Sequence, residues 1–271
     1  MSRQKHAQTG DGAFVKEERL AWILNRLSRE GRVLATDLTS ELHVSEDTIR
    51  RDLRELAAMR RIQRVHGGAL PPSPVALKYS IRVRQSVPEK KSIARAAARL
   101  VKNAMTVFLD GGTTNVHVAE CLPSHLHATI ITNSIPVAAV LSEHDFVEVI
   151  LIGGRMLRTS RVTLGAEAVD AIRRYRADLF LLGTCSVDIE AGITVPHPEE
   201  APVKRAMIAQ ASRVVGLVTG EKLGTAMACV VGSVGELDAI VTESSTPAAR
   251  LDPYARAGIE IIRGPLGRKP K

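Results

Sequence analysis

Apolar residues Leu20, Ile23, Leu24 and Leu27 recur every three or four positions, which predicts a helix over residues 16–29 with Gly31 as its stop. Leu34, Leu38 and Leu42 give a shorter stripe, with Thr36 placed to cap it and Asp37 in its first turn. His43-Val44 then predicts a tight turn, and Ser45 an N-cap for a third helix that opens with Glu46 and Asp47. On that helix Ile49, Leu53 and Leu56 share one face, while Thr48, Arg50, Arg51 and Arg54 fall on others. Residues 61–65 alternate enough for a short strand, and His66-Gly67-Gly68 signals a hairpin.

The period changes after Thr106. Short apolar runs (TVFLD, TIITN, VEVILIGG, DLFLLG, RVVGLV, DAIVTE, IEII) alternate with helical stretches. Strands apolar on both faces and separated by helices predict a doubly wound, mostly parallel α/β sheet. Such sheets bind ligands at the carboxyl ends of their strands. Between the two patterns, Pro71, Pro72 and Pro74 predict a stiff connector. Pro88 suits the first turn of a helix bearing Ile93, Ala94, Ala97 and Leu100. The expected organisation is a disordered tail over 1–15, a helical reading head over 16–72, a linker over 73–87 and an α/β domain over 88–271.

Charge sharpens this division. Residues 1–100 hold 20 Lys+Arg against 11 Asp+Glu, and the remainder 17 against 18, so the basic excess sits in the front third. Such asymmetry suits an anionic polymer or membrane surface as partner, and equally a solvated basic face. Lys78, Arg82, Arg84, Lys90, Lys91, Arg95 and Arg99 extend the basic run; solvation is their simplest reading, and a place over DNA or near an anionic ligand is the alternative. Aromatics are only 3%, which argues against readers of single strands or RNA that stack bases on rings. Hydrophobic residues make up 45%, enough for a core. Cys121, Cys185 and Cys229 are far apart and form no metal-binding spacing, so buried free thiols in the cytoplasm are expected, with no metal and no cofactor. The first fourteen residues carry no apolar signal core, and no apolar run approaches a membrane span.

Two short helices joined by a tight turn, the second basic outward, form the helix-turn-helix pattern, and the hairpin adds a wing. Arg50, Arg51 and Arg54 then face a duplex groove, and Arg64 and His66 its phosphates. Solvation, or pairing with Asp52 or Glu55 along the helix, is the plain alternative. The run VSEDTIRRDLREL followed by RVHGGA resembles the DeoR family of bacterial transcription regulators. The resemblance implies that residues 45–54 enter the major groove of an operator, with Ser45 and Thr48 at the start of the reading helix. Arg60 departs from the family, which carries glycine between helix and wing. Arginine is costly in a left-handed conformation, which predicts a different helix ending.

Asp110-Gly111-Gly112-Thr113-Thr114 follows a predicted strand and opens a helix, where glycines and helix-start N–H groups can meet an anion. A tight strand-to-helix turn explains the same residues. Thr132-Asn133-Ser134, Gly153-Gly154, Asp188 with Gly192, Lys204 and Lys222 fall near other strand ends. The array resembles the sensor domain of DeoR regulators, similar in fold to pentose-phosphate isomerases, and with the reading head the resemblance covers nearly all of residues 17–243. It implies a phosphorylated sugar or related metabolite as effector. The DGGTT and TNS segments would hold the phosphate end, and Asp188 with Lys222 or Lys204 the sugar end. Thr219 stands where the family often has an acidic residue, and Glu243 where it often has aspartate, which predicts an unusual ligand. The expectation is a homo-oligomeric, ligand-released repressor of carbohydrate genes. The alternative is an isomerase-like enzyme with a fused basic domain, and no sharper catalytic constellation is visible.

Overall fold

The computed structural model describes residues 15–75 and 78–265. The expected tail lies outside these apart from Val15. The chain divides into two compact units, the first ending at Pro72 and the second beginning at Ser73.

The first unit contains α1 (Lys16–Glu30), β1 (Val33–Leu34), α2 (Ala35–Leu42), α3 (Glu46–Ala58), β2 (Gln63–Val65) and β3 (Gly68–Leu70). Leu20, Ile23 and Leu27 of α1 meet Leu38 and Leu42 of α2 and Ile49, Leu53 and Leu56 of α3 in one core. Each fully buried side chain of this size contributes about 1.5–3 kcal/mol. Thr36 does not cap α2. The helix starts two residues earlier, with Leu34 at the cap position and no side-chain bond. The ribbon supplies the missing acceptor, because Ala35 N–H donates to the Gly67 carbonyl at 2.8 Å. β1 pairs antiparallel with β3, and β3 with β2, so the wing is a three-stranded sheet. Gly68 makes that approach possible, since a Cβ there would sit 2.0 Å from the Val33 carbonyl oxygen.

The end of α3 corrects an expectation. Arg60 adopts the left-handed conformation at φ 56°. Its N–H donates to Ala57 O at 2.9 Å, and Arg61 N–H to Leu56 O at 2.9 Å. This is the Schellman closure that glycine usually provides, made here by an arginine.

The second unit opens with α4 (Tyr79–Arg82) and α5 (Val87–Ala98), followed by β4 (Thr106–Leu109), α6 (Thr113–Cys121), β5 (Ala128–Thr132), α7 (Ile135–Leu141) and β6 (Val147–Leu151). A hairpin of β7 (Arg155–Leu157) and β8 (Val162–Leu164) and then α8 (Ala166–Ile172) lead to β9 (Leu179–Gly183). The chain continues through β10 (Ser186–Asp188), β11 (Gly192–Val195), α9 (Glu200–Ala209), β12 (Val214–Leu217) and β13 (Cys229–Gly232). It ends with β14 (Ala239–Thr242), α10 (Ala248–Arg256) and β15 (Glu260–Arg263).

Seven strands form one parallel sheet in the order β15-β14-β12-β9-β4-β5-β6. Alternate side chains supply two cores. Val107, Leu109, Leu179 and Leu181 pack with α5, α6 and α7. Phe108, Phe180 and Leu182 pack with α8, α9 and α10. All seven strands correspond to the apolar runs of the sequence, whereas β7, β8, β10, β11 and β13 were not foreseen. The winding direction reverses between β4 and β9, so their carboxyl ends frame the crevice where such folds take ligands.

Residues 73–87, expected as a connector, pack on this second unit where described. Ser73 Oγ donates to Cys185 O at 2.8 Å, and Tyr79 N–H to Thr159 O at 2.9 Å. Tyr79 is buried, with the Arg161 guanidinium 4.7 Å from its ring centroid.

Candidate functional site: a cationic helix and a switch-point cavity

In the first unit, Ser45 Oγ accepts the Thr48 N–H at 3.3 Å, and the two hydroxyls are 2.9 Å apart. Arg50, Arg51, Arg54, Arg64 and His66 are exposed. The acids that could neutralise this face are largely engaged elsewhere. Asp52 is buried and accepts two bonds from Arg19 of α1, at 2.5 and 3.1 Å. Glu55 pairs with Lys16 at 2.6 Å, and Arg50 alone is paired on its own helix, with Glu46 at 2.6 Å. Asp52 therefore fastens α3 to α1 rather than screening its neighbours. Arg51 and Arg54 have no ion pair among the described residues, which leaves two unneutralised cations beside Arg50.

In the second unit, the residues after β4 and β9 bound a solvent-open cavity. Gly111, Gly112, Thr113 and Thr114 form one wall, ending at the N-terminus of α6. Asp110 lies beneath them, 1% exposed. Its Oδ1 accepts the Gly183 N–H at 2.8 Å and Asn115 Nδ2 at 2.7 Å, and its Oδ2 receives Lys204 Nζ. Lys204 also donates to Gly183 O at 2.8 Å. Burial is the largest influence on Lys204 and opposes its charge, but Asp110, Glu200 and Cys185 together outweigh it and hold the lysine pKa above its usual value. Gly183 has no room for a side chain, since a Cβ would meet Gly111 O at 2.6 Å and Asp110 Oδ1 at 3.0 Å.

The sequence reading missed part of the lining. Arg82, Gln85 and Lys90, from the basic run expected to be solvated, face this cavity with Lys222. Arg82 and Lys90 are both buried. Lys90 Nζ donates to Arg82 O and Gln85 O at 2.6 and 2.5 Å, and Lys222 Nζ to Thr184 O at 2.8 Å. Burial pushes Lys90 down to about 8, with Lys222 and Arg82 adding repulsion. Burial also lowers Lys222. A signal for Lys90 was present: it falls three and four positions before Ile93 and Ala94, on the apolar face of α5. Ser160, Cys185, Glu200 and Glu221 complete features that motif reading did not find. Cys185, like the other two cysteines, is free and half-buried rather than fully buried.

The remaining expected residues are dispersed. Asn133 borders a smaller adjoining cavity with Asp110, Gly111, Glu200 and Lys204. Thr132 and Ser134 serve the turn, where Thr132 Oγ1 accepts the Ser134 N–H at 3.0 Å and Ser134 caps α7. Asp188 does not line the cavity. Its carboxylate accepts the N–H groups of Glu190 and Ala191 at 3.0 and 2.8 Å, which closes the β10–β11 hairpin. Thr219 and Glu243 are also absent from the lining; Glu243 accepts the Gly220 N–H at 2.9 Å and braces the turn that carries Lys222. These departures therefore act on that turn and do not touch the cavity directly. No group of three or more His, Cys, Asp or Glu among the described residues could hold a metal ion.

A winged reading head with a bare cationic helix, joined to an α/β unit with an anion-suited crevice, defines a ligand-responsive DNA-binding regulator. Residues 19–75 match the DeoR-like helix-turn-helix domain and residues 85–244 the DeoR C terminal sensor domain. The HTH-type transcriptional repressor GlcR of Bacillus subtilis is 35% identical, over 92% of this chain and 96% of its own. The glycerol-3-phosphate regulon repressor of Escherichia coli is 34% identical, over 83% of this chain and 90% of its own. The chain belongs to the DeoR family of transcription regulators, and it is a regulator rather than an enzyme. Its partners are operator DNA and a small-molecule effector. Among solved structures it is similar to ribose 5-phosphate isomerase A from Methanocaldococcus jannaschii (16% identity, 52% of this chain and 54% of that chain, TM-score 0.35). No helix among the described residues is long and apolar enough to cross a membrane.

Proposed function

We propose that the chain is a cytoplasmic repressor of carbohydrate genes, released from its operator by a phosphorylated sugar or related metabolite. Residues 16–72 read the duplex. Arg50, Arg51 and Arg54, on the helix capped by Ser45 with Thr48, meet the major groove, while Arg64 and His66 meet phosphates beside it. Residues of the second unit sense the effector. One observation carries the reading: four buried cations (Arg82, Lys90, Lys204, Lys222) converge with the α6 N-terminus at the switch point, against two buried carboxylates there among the described residues, Asp110 and Glu200. Such a cavity is short of negative charge, and a phosphate monoester supplies it. One relative, the glycerol-3-phosphate regulon repressor of Escherichia coli, is named for a phosphorylated compound.

A homo-oligomer with paired reading heads would fit half-sites about one helical turn, or multiples of it, apart. Effector binding would shift operator affinity by about 1–3 kcal/mol. Asp188, which an isomerase-like enzyme was expected to use with a lysine, lies in a hairpin turn, so that alternative is not favoured. The test selects preferred duplexes from a random pool and repeats the binding with a panel of phosphorylated sugars. Enrichment of one sequence, weakened by one such compound, is expected. Equal affinity for every duplex, unmoved by any phosphorylated compound, overturns the reading.

A further inference from the structure

Helix α1 buries Leu20, Ile23 and Leu27 in the core of the first unit. Its opposite side carries a second stripe, Glu18, Trp22, Asn25 and Arg29, at spacings of four, three and four. Those spacings keep the four side chains on one helical face. Glu18, Asn25 and Arg29 are exposed, and Trp22, the only tryptophan of the chain, is half-buried. Trp22, Asn25 and Arg29 also line a groove together with Arg26, Glu30 and Glu41.

Other charges around this stripe are matched within the chain. Arg26 pairs with Glu30 at 2.9 Å and with Glu41, and Lys16 pairs with Glu55. Glu18 and Arg29 have no ion pair and no side-chain hydrogen bond among the described residues. The acid and the base of the stripe thus stand unmatched at its opposite ends.

That arrangement is complementary to itself. In an antiparallel pair of α1 helices, turned about a two-fold axis between Ile23 and Leu24, Glu18 faces Arg29 of the second copy and Trp22 faces its Asn25. Each contact then occurs twice, as a two-fold interface requires. The Trp22 indole N–H has no acceptor among the described residues, and the facing Asn25 carboxamide provides one. Displacement by four residues either way parts Glu18 from Arg29, and a parallel pair would set Glu18 beside Glu18. Charge therefore selects both the direction and the register.

We propose that α1 is the surface on which two copies of the reading head pair, antiparallel, on DNA. Exposed ion pairs add little each, so pairing depends on the duplex holding two heads close together. The proposal rests on the paired-head reading above and deepens it, because the α1 contact fixes the separation of the two α3 helices and with it the half-site spacing.

The test uses the full chain, a duplex selected from a random pool, and the same duplex cut to one half-site. Acrylamide quenching of Trp22 fluorescence reports the pairing, and anisotropy reports the affinity. The duplex with two half-sites should lower the quenching constant at least threefold, and the single half-site should leave it unchanged. Arg29→Glu should abolish that protection and weaken binding to two half-sites at least tenfold, with single-half-site affinity unchanged within twofold. Adding Glu18→Arg exchanges the two charges and should recover at least threefold of the lost affinity. If Arg29→Glu does not fold, Arg29→Gln should still cost at least threefold on two half-sites. Protection by the single half-site assigns the stripe to DNA and overturns the proposal. Protection that survives loss of the Arg29 charge, or an exchange that recovers nothing, overturns it equally. A selected duplex without a two-fold repeat also overturns it, and operator reading by α3 survives in each of these cases. If no duplex is enriched, the operator reading itself fails and the pairing falls with it.

Discussion

The molecule carries two groups of cations that differ in almost every physical respect. On α3 the arginines stand in water, spread along one face, with their nearest acids drawn off by Arg19 and Lys16. In the cavity the lysines are buried, each tied to a carbonyl or a carboxylate. Exposed arginines keep their charge at any physiological pH and suit a polyanion that arrives from solution. Among the buried lysines, Lys90 is held by its surroundings near the point of losing charge, and an arriving anion restores it. One protein thus uses position to turn similar charges into a fixed attractor and a responsive one.

The contrast breaks most sharply at Lys204. Lys204→Met would leave the Asp110 carboxylate buried without its cation, and a loss of about 3–5 kcal/mol of stability is expected in urea unfolding. Adding Asp110→Asn should recover part of it, because the two losses share one ion pair. The exposed group should behave otherwise. Arg51→Ala should leave the urea midpoint nearly unchanged while costing about 1–3 kcal/mol of operator affinity, read by fluorescence anisotropy. If preference among duplexes flattens, Arg51 reads a base. If all duplexes weaken alike and the log–log salt slope drops by roughly 0.9, it contacts a phosphate.

A smaller effect sharpens the responsive side. Lys90 titrates at about 8, below its ordinary 10.5. In the empty protein it is charged below that value and neutral above it. A bound phosphate keeps the proton on, so binding takes up a proton as pH rises past 8. From pH 7 upward affinity should change little until about 8 and then fall by up to about tenfold per unit. The empty protein should gain stability over the same rise, because the unfolded chain then holds the extra proton. Calorimetry in buffers of different ionisation heat measures the uptake, and a pH-independent affinity would count against Lys90. The smallest effect belongs to the reading head. Arg60→Gly removes a left-handed arginine and should add about 1 kcal/mol of stability. A decrease would mean that the arginine side chain contributes more than its backbone costs.

Local rules were legible wherever neighbours in sequence decide the outcome. The Ser45 cap, the Ile49–Leu53–Leu56 stripe and the seven apolar strands follow from periodicity, and the DGGTT turn from its place between strand and helix. What escaped depends on partners far along the chain. Asp52 stands in sequence as one alternative partner for the arginines of its own helix, whereas its actual partner is 33 residues away. Lys90 and Arg82 were read as solvated because a basic run usually is, and the Thr113 and Lys222 walls that enclose them lie elsewhere in sequence. Asp188 was drawn toward the ligand by analogy, although a short hairpin gives a buried aspartate local donors of its own. Thr36 lost its role to a backbone carbonyl brought in by the wing.

The contact at Gly68 reaches beyond its own strand. A ribbon that merely trailed from the last helix could swing and would contribute little orientation on a duplex. Bonded to the strand that starts α2, it moves with the three helices as one body, so the spacing between Arg64 and Arg51 is set before any DNA arrives. Even a methyl group at position 68 would pry that strand away and turn a rigid two-pronged grip into one fixed prong and one loose one.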